Sequence, residues 1–123
     1  MKSLAERNID VENVKIYLTL FKLYKSYLLF ISDQRDMGIG NVTLGSPSIV
    51  KGVRSPTSSY NLFGMKSNLL STIIAERASN ALNAPVLLLL FLNNKFEDEK
   101  IIKPIINFLN EVLEEILERN RSI

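Results

Sequence analysis

The sequence predicts an α+β fold: an antiparallel sheet with two helices on one face, in the order ββββαβα. Apolar and polar residues alternate with a period of two in the first half of the chain, which is typical of strands. Apolar residues recur at helical spacing in the second half, and one wholly apolar run interrupts that pattern. The length of 123 residues predicts a single domain over residues 1–123, with residues 1–12 as a candidate flexible arm.

Four strands are expected before the first helix. The first has a clear apolar side, formed by Val14, Ile16, Leu18 and Leu20. A hairpin at residues 22–26 leads to the second strand, residues 27–31, which is almost wholly apolar. The third covers residues 42–44 and the fourth lies within residues 55–63, with a long loop at residues 46–54 between them.

The helical pattern starts near Met65 and runs to about Leu82, where Pro85 stops it because proline has no amide hydrogen. Residues 86–92 are apolar and too few for a typical helix, which predicts a central strand buried on both faces. The last helix has one apolar side and one polar side, and Pro104 is expected in its first turn or at a slight kink. Its apolar side comprises Ile102, Ile105, Ile106, Leu109, Val112, Leu113 and Ile116.

Composition argues against several classes of function. The chain has no cysteine and no histidine, so disulfides, the usual zinc sites and the commonest proton shuttle are excluded. A net charge of +2 gives no nucleic-acid footprint. The longest apolar run, residues 84–92, is far shorter than the roughly 20 residues that a membrane helix needs. We therefore expect a non-enzymatic protein without cofactor or metal. A cytoplasmic or nuclear location is expected because residues 1–10 resemble no secretory signal.

The apolar strands predict a partner. Residues 27–31 and 86–92 place apolar side chains on both faces of the sheet, whereas two helices cover only one face. Leaving the second face wet would cost on the order of 10–20 kcal/mol, more than the net stability of a typical domain. A partner sheet, from a sister protein or a second copy, is therefore expected to form a β-sandwich dimer. The candidate contact residues on these strands are Leu29, Ile31, Leu88 and Leu90.

Three questions stay open at this point. Residues 1–13 and the long loop could instead fold over the second face. Lys51 and Arg54 in that loop could contact an acidic partner surface, or the loop could be a solvated connector. Arg77 falls within the apolar arc of its helix, so it either makes hydrogen bonds inside the protein or contacts a partner.

Five segments together resemble the proteasome assembly chaperone 4 family and its fungal relatives. The segments are Lys25-Ser26-Tyr27-Leu28-Leu29-Phe30-Ile31, Gly40-Asn41-Val42-Thr43-Leu44, Ser55-Pro56-Thr57-Ser58-Ser59, Leu62-Phe63-Gly64 and Ile74-Ala75-Glu76-Arg77. The resemblance spans residues 18–115. The 46–54 loop, the leucine-rich strand and Pro104 depart from the family pattern.

This resemblance implies a dimer of two sheets with the helices outside. It also implies a chaperone that binds proteasome alpha subunits together with a sister chaperone and helps to assemble the 20S alpha ring. A dimeric scaffold of roadblock or longin type is the alternative, and a small enzyme is the third reading.

Overall fold

A computed structural model describes residues 3–48, 56–61 and 69–121. Within these ranges the chain forms six strands in one sheet and two helices, so the predicted α+β class is confirmed. The elements are β1 Ser3–Val11, β2 Val14–Leu23, β3 Ser26–Ser32, β4 Asn41–Gly45, β5 Thr57–Asn61, α1 Leu69–Leu82, β6 Val86–Phe91 and α2 Asp98–Arg121.

The sheet is mixed, with the strand order β1-β2-β3-β6-β4-β5. β3 and β6 run parallel, and every other neighbouring pair is antiparallel. The sequence predicted a wholly antiparallel sheet, and this prediction is wrong for the pair β3 and β6. The physical reason is that α1 returns the chain across the sheet, so that β6 enters from the same end as β3.

The N-terminal segment is a strand. Residues 3–11, which the sequence suggested as a flexible arm, pair with β2 at the edge of the sheet. The connection is a two-residue turn, Glu12 and Asn13, with φ of 50° and 64° as a type I′ hairpin requires. Ala5 and Val11 of this strand are buried in the core. Five strands thus precede α1, one more than predicted.

The central strand β6 begins where α1 is stopped. Asn83 adopts the left-handed conformation with φ of 51°, and the Ala84 amide donates a hydrogen bond to the Ser79 carbonyl over 3.2 Å. This is a Schellman-type helix end, and Pro85 follows it. The predicted strand is confirmed, and it lies between β3 and β4.

Both helices pack on the same face of the sheet. α1 lies over β4, β5 and β6, while α2 packs beside α1 and over β1. The core fills the space between the helices and the sheet, and its largest fully buried side chains include Ile16, Leu18, Leu20, Leu29, Ile31, Leu70, Ile74, Leu88, Leu90, Ile105 and Leu109.

Pro104 lies inside α2, because the helix begins at Asp98, before the start that the apolar pattern indicated.

Candidate functional site: an uncovered sheet face

The face of the sheet opposite the helices carries mostly apolar side chains on its four middle strands. Strand pairing aligns its side chains in rows, and one row consists of Phe21, Leu28, Leu87 and Leu44. The next row consists of Thr19, Phe30, Leu89 and Val42. Leu23 and Phe91 continue the surface on β2 and β6. We call this surface, formed by the apolar residues named here, the open face.

The open face is partly accessible to solvent. Leu44 is 47% exposed and Leu23 36% exposed, whereas the central side chains are half-buried by their own neighbours. Phe21 and Phe30 pack edge to face, with ring centroids 6.0 Å apart. A contiguous apolar surface of this kind is typical of a protein interaction site.

The N-terminal segment does not cover the open face. Because residues 3–11 extend the sheet at its edge, they lie beside β2 rather than across the strands. Residues 49–55 of the long loop lie outside the described residues. Within the described ranges, no helix or strand packs on this face.

Polar residues border the open face on both sides. On β1 the side chains that point to this face include Glu6, Asn8 and Asp10, all exposed. Asp10 lies directly opposite Lys15 of β2. On β5 the corresponding residues are Ser58 and Tyr60, and Tyr60 is 70% exposed. The apolar surface therefore ends at the two edge strands.

The β1 border is held in place by α2. The Arg7 Nη2 group donates a hydrogen bond to Glu115 Oε1 over 2.8 Å, and Arg119 Nη2 donates to the Leu4 carbonyl over 2.9 Å. The bond from Arg7 lowers the pKa of the Glu115 carboxyl below its ordinary value, and the charges of Arg7 and Arg119 act in the same direction. The same contact raises the pKa of the Arg7 guanidinium.

The predicted contact residues lie on the other side of the sheet. Leu29, Ile31, Leu88 and Leu90 are at most 1% exposed and form core contacts beneath the helices. This corrects the assignment of faces: the neighbouring residues Leu28, Phe30, Leu87 and Leu89 point to the open face. The physical reason is register, since Leu29 and Ile31 lie opposite Leu20 and Leu18, the buried residues of β2.

Arg77 lies at the surface, beside a groove between α1 and α2. It is exposed, and no hydrogen bond or ion pair connects it to another described residue. The structure therefore does not show the internal hydrogen bonds that the sequence left open for Arg77. The buried side of α1 consists of Leu70, Ser71, Ile74, Ala75, Ala78 and Ser79, so Arg77 falls just outside it. Lys51 and Arg54 lie outside the described residues.

Among the described residues, no three acidic side chains lie together in a way that could hold a metal ion. No helix in the described part of the chain has the length and apolar character needed to cross a membrane.

Comparison with known proteins adds a fold match. No protein-family model matches this sequence, and no match was found among curated proteins. Solved structures do match. One is a chain from the crystal structure of a novel chaperone complex for yeast 20S proteasome assembly, with a TM-score of 0.62 and 10% sequence identity over 95% of each chain. At this identity the likeness establishes a shared fold.

Proposed function

We propose that this chain is a chaperone that assists assembly of the 20S proteasome core particle and binds alpha-ring subunits as a dimer. The observation that carries the proposal is the open face, an apolar sheet surface on which no described element packs. Fully burying a large apolar side chain contributes about 1.5–3 kcal/mol, so covering several of them with a partner would stabilise the complex. The fold shared with a chain of a proteasome-assembly chaperone complex supports this class of partner.

In this proposal the chain acts by surface complementarity and without a cofactor. The open face binds a partner sheet, either a sister chaperone or a second copy, which leaves the helices on the outside. The dimer then presents its outer surfaces to alpha subunits. The cytoplasmic or nuclear location expected from the sequence belongs to the same proposal, as does the absence of enzymatic activity.

Basic side chains outside the open face are proposed to contact the alpha subunits. Arg77 is suited to an acidic partner because it is exposed and its guanidinium is not engaged by another described residue. Lys51 and Arg54 are proposed for the same role on the ground of charge alone. Charge reversal at Arg77 is expected to weaken capture of alpha subunits, whereas reversal at Lys103, exposed on α2, serves as a control.

Co-expression tests the proposal directly. The chain is expressed with proteasome alpha subunits and a candidate sister chaperone, and the purified complexes are identified by native mass spectrometry. We expect complexes that contain this chain and an alpha subunit. Purification with trafficking complexes instead would favour a roadblock or longin-type scaffold. A rise in melting temperature with nucleotides or metal ions would favour an enzyme.

A further inference from the structure

The hairpin between β2 and β3 extends beyond its neighbours in the sheet. β2 and β3 pair with each other as far as Leu23 and Ser26. On one side, the described part of β1 pairs with β2 no further than Phe21. On the other side, β6 begins beside Tyr27. Residues 22–26, which we call the hairpin tip, therefore extend past both neighbouring strands in the described part of the chain.

The hairpin tip exposes an aromatic ring between two lysines. Tyr24 is 86% exposed, more than any other large apolar or aromatic side chain in the described ranges. Lys22 and Lys25 are also exposed, and neither makes an ion pair with another described residue. Residues 14–32 contain three lysines and no acidic residue. The two ammonium groups at the tip therefore have no carboxylate within the hairpin to balance their charge.

The turn at the hairpin tip has a sequence that its backbone does not favour. Lys25 has a φ of 53°, in the left-handed region where glycine and asparagine are preferred. The Ser26 hydroxyl donates a hydrogen bond to the Tyr24 carbonyl over 3.0 Å, and the Lys25 ammonium lies 5.4 Å from the centre of the Tyr24 ring. Backbone strain at an exposed turn points to a use for the side chains that it presents.

We propose that the hairpin tip is a docking element, in which Tyr24 inserts into an apolar pocket with an acidic rim on a proteasome alpha subunit. Tyrosine suits this role because it brings a large contact area at a small cost in conformational entropy. Lys22 and Lys25 then contact carboxylates at the rim of the pocket. The inference rests on the proposed function for the identity of the partner, and it adds a contact that Tyr24 makes outside the open face.

An anionic membrane surface is the alternative occupant, and the hairpin tip is less suited to it. Basic segments that bind anionic lipids carry about four to eight lysines or arginines, whereas the tip has two. Stable membrane binding also needs more buried apolar area than one aromatic ring supplies. At a protein interface, by contrast, a few well-placed side chains contribute most of the binding energy. The composition of the tip therefore favours a protein pocket.

Affinity measurements with purified alpha subunits test the proposal. The 123-residue chain, purified from co-expression, is titrated against each alpha subunit by biolayer interferometry. We expect Tyr24→Ala to weaken binding about tenfold or more, as truncation of an interface anchor does. Tyr24→Phe keeps the ring and should retain most of the affinity. Ile39→Ala is the matched control, because Ile39 is 49% exposed and lies in the segment that follows the opposite end of β3.

The variant Lys25→Asn separates binding from folding. Asparagine tolerates the left-handed backbone better than lysine, so this variant should melt at the temperature of the wild type or slightly above it. Its binding should nevertheless weaken and depend less on salt concentration, because a charge that faces the acidic rim is lost. Unchanged affinity and salt dependence in Lys25→Asn would contradict the proposed contact with carboxylates.

The outcomes separate this inference from the proposed function. Equal affinity of wild type and Tyr24→Ala for the alpha subunits would overturn the inference and leave the proposed function standing. A wild type that binds no alpha subunit would overturn both. Vesicles that contain phosphatidylserine are tested in parallel. If Tyr24→Ala abolished binding to these vesicles and left binding to alpha subunits unchanged, the hairpin tip would be a membrane contact instead.

Discussion

At the scale of single residues, Asp33 joins the ends of the two parallel strands. Its carboxylate accepts hydrogen bonds from the Asn93 amide over 2.9 Å and from the Asn94 amide over 2.7 Å. The side-chain amides of Asn94 and Gln34 donate to the same carboxylate. Asp33 is 8% exposed, and these bonds satisfy its oxygens. It therefore fixes the segment that leads from β6 to α2.

Replacing Asp33 by asparagine is expected to destabilise the protein by about 1–3 kcal/mol. The new amide keeps one acceptor but turns its donor group toward backbone amides that also donate, so a buried hydrogen bond is lost. The free energy of unfolding is measured by urea denaturation. Asp36→Asn is the control, because Asp36 is exposed and should change stability little. Equal stability of Asp33→Asn and wild type would contradict this account.

Gly45 sets the distance between α1 and the sheet. A Cβ at this position would lie 2.8 Å from the Ala75 carbonyl oxygen and 2.9 Å from the Ala75 Cβ. The obstacle is largely backbone, so α1 itself would have to move. At Gly38 the added Cβ would lie 2.8 Å from the Phe91 ring, a side chain that can turn aside.

We therefore expect Gly45→Ala to lower stability by about 1–3 kcal/mol, and Gly38→Ala to lower it less. The comparison uses thermal and urea unfolding of both variants under the same conditions. Gly38→Ala is the matched control, since both variants add one methyl group. If Gly38→Ala lowered stability more than Gly45→Ala, close packing of α1 on β4 would not explain the need for glycine at position 45.

At the scale of elements, β1 depends on α2. Arg7 and Arg119 connect the edge strand to the last helix, one through Glu115 and one through a backbone carbonyl. Charged side chains along β1 also discourage pairing with another strand at this edge. The polar border of the open face is thus positioned by a helix that lies on the opposite side of the sheet.

The Arg7–Glu115 contact predicts a pH dependence. The pKa of Glu115 is lower in the folded than in the unfolded chain, so the contribution of this pair is present above the ordinary glutamate pKa and is lost as the pH falls through the lowered value. Wild type should melt slightly above Glu115→Gln at neutral pH, and the two should converge in acid. Melting curves across this range, with the exposed Glu111→Gln as control, check the effect. A difference that persists unchanged in acid would contradict it.

β1 was missed in the sequence because its apolar side is weak. Ala5, Ile9 and Val11 alternate with polar residues, which is strand periodicity, but Arg7 interrupts the apolar side. Only the ion pair with Glu115 on α2 explains why a charged residue lies there. β2 was predictable, because its alternation is clear and its apolar side is the buried one.

The faces of β3 and β6 could not be assigned from the sequence. Both strands are apolar at consecutive positions, so alternation gives no sign of which side lies beneath the helices. Only the pairing of β3 with β2 decides it. The need for a cover on the second face was predicted without that information, whereas the identity of the contact residues depended on it.

At the scale of the whole molecule, the helices and the open face form two separate layers of apolar contact. The core between helices and sheet is complete within one chain, and its largest side chains are fully buried. Leu44, Leu23 and Tyr60 on the other side keep substantial exposure. Folding of the described residues therefore leaves this apolar area accessible, and in the proposed dimer its burial links stability to assembly.

This linkage predicts that stability depends on protein concentration. If a second copy covers the open face, mass action favours the folded dimer, and the melting temperature of the wild type should rise as the chain concentration rises. Leu44→Glu should melt at a temperature that is independent of concentration, because a carboxylate on the open face is expected to prevent dimerisation. Leu69→Glu should follow the wild type, since Leu69 lies in the helix layer. Calorimetry over a hundredfold concentration range measures all three melting temperatures. A wild-type melting temperature that does not change with concentration would contradict the link between folding and association.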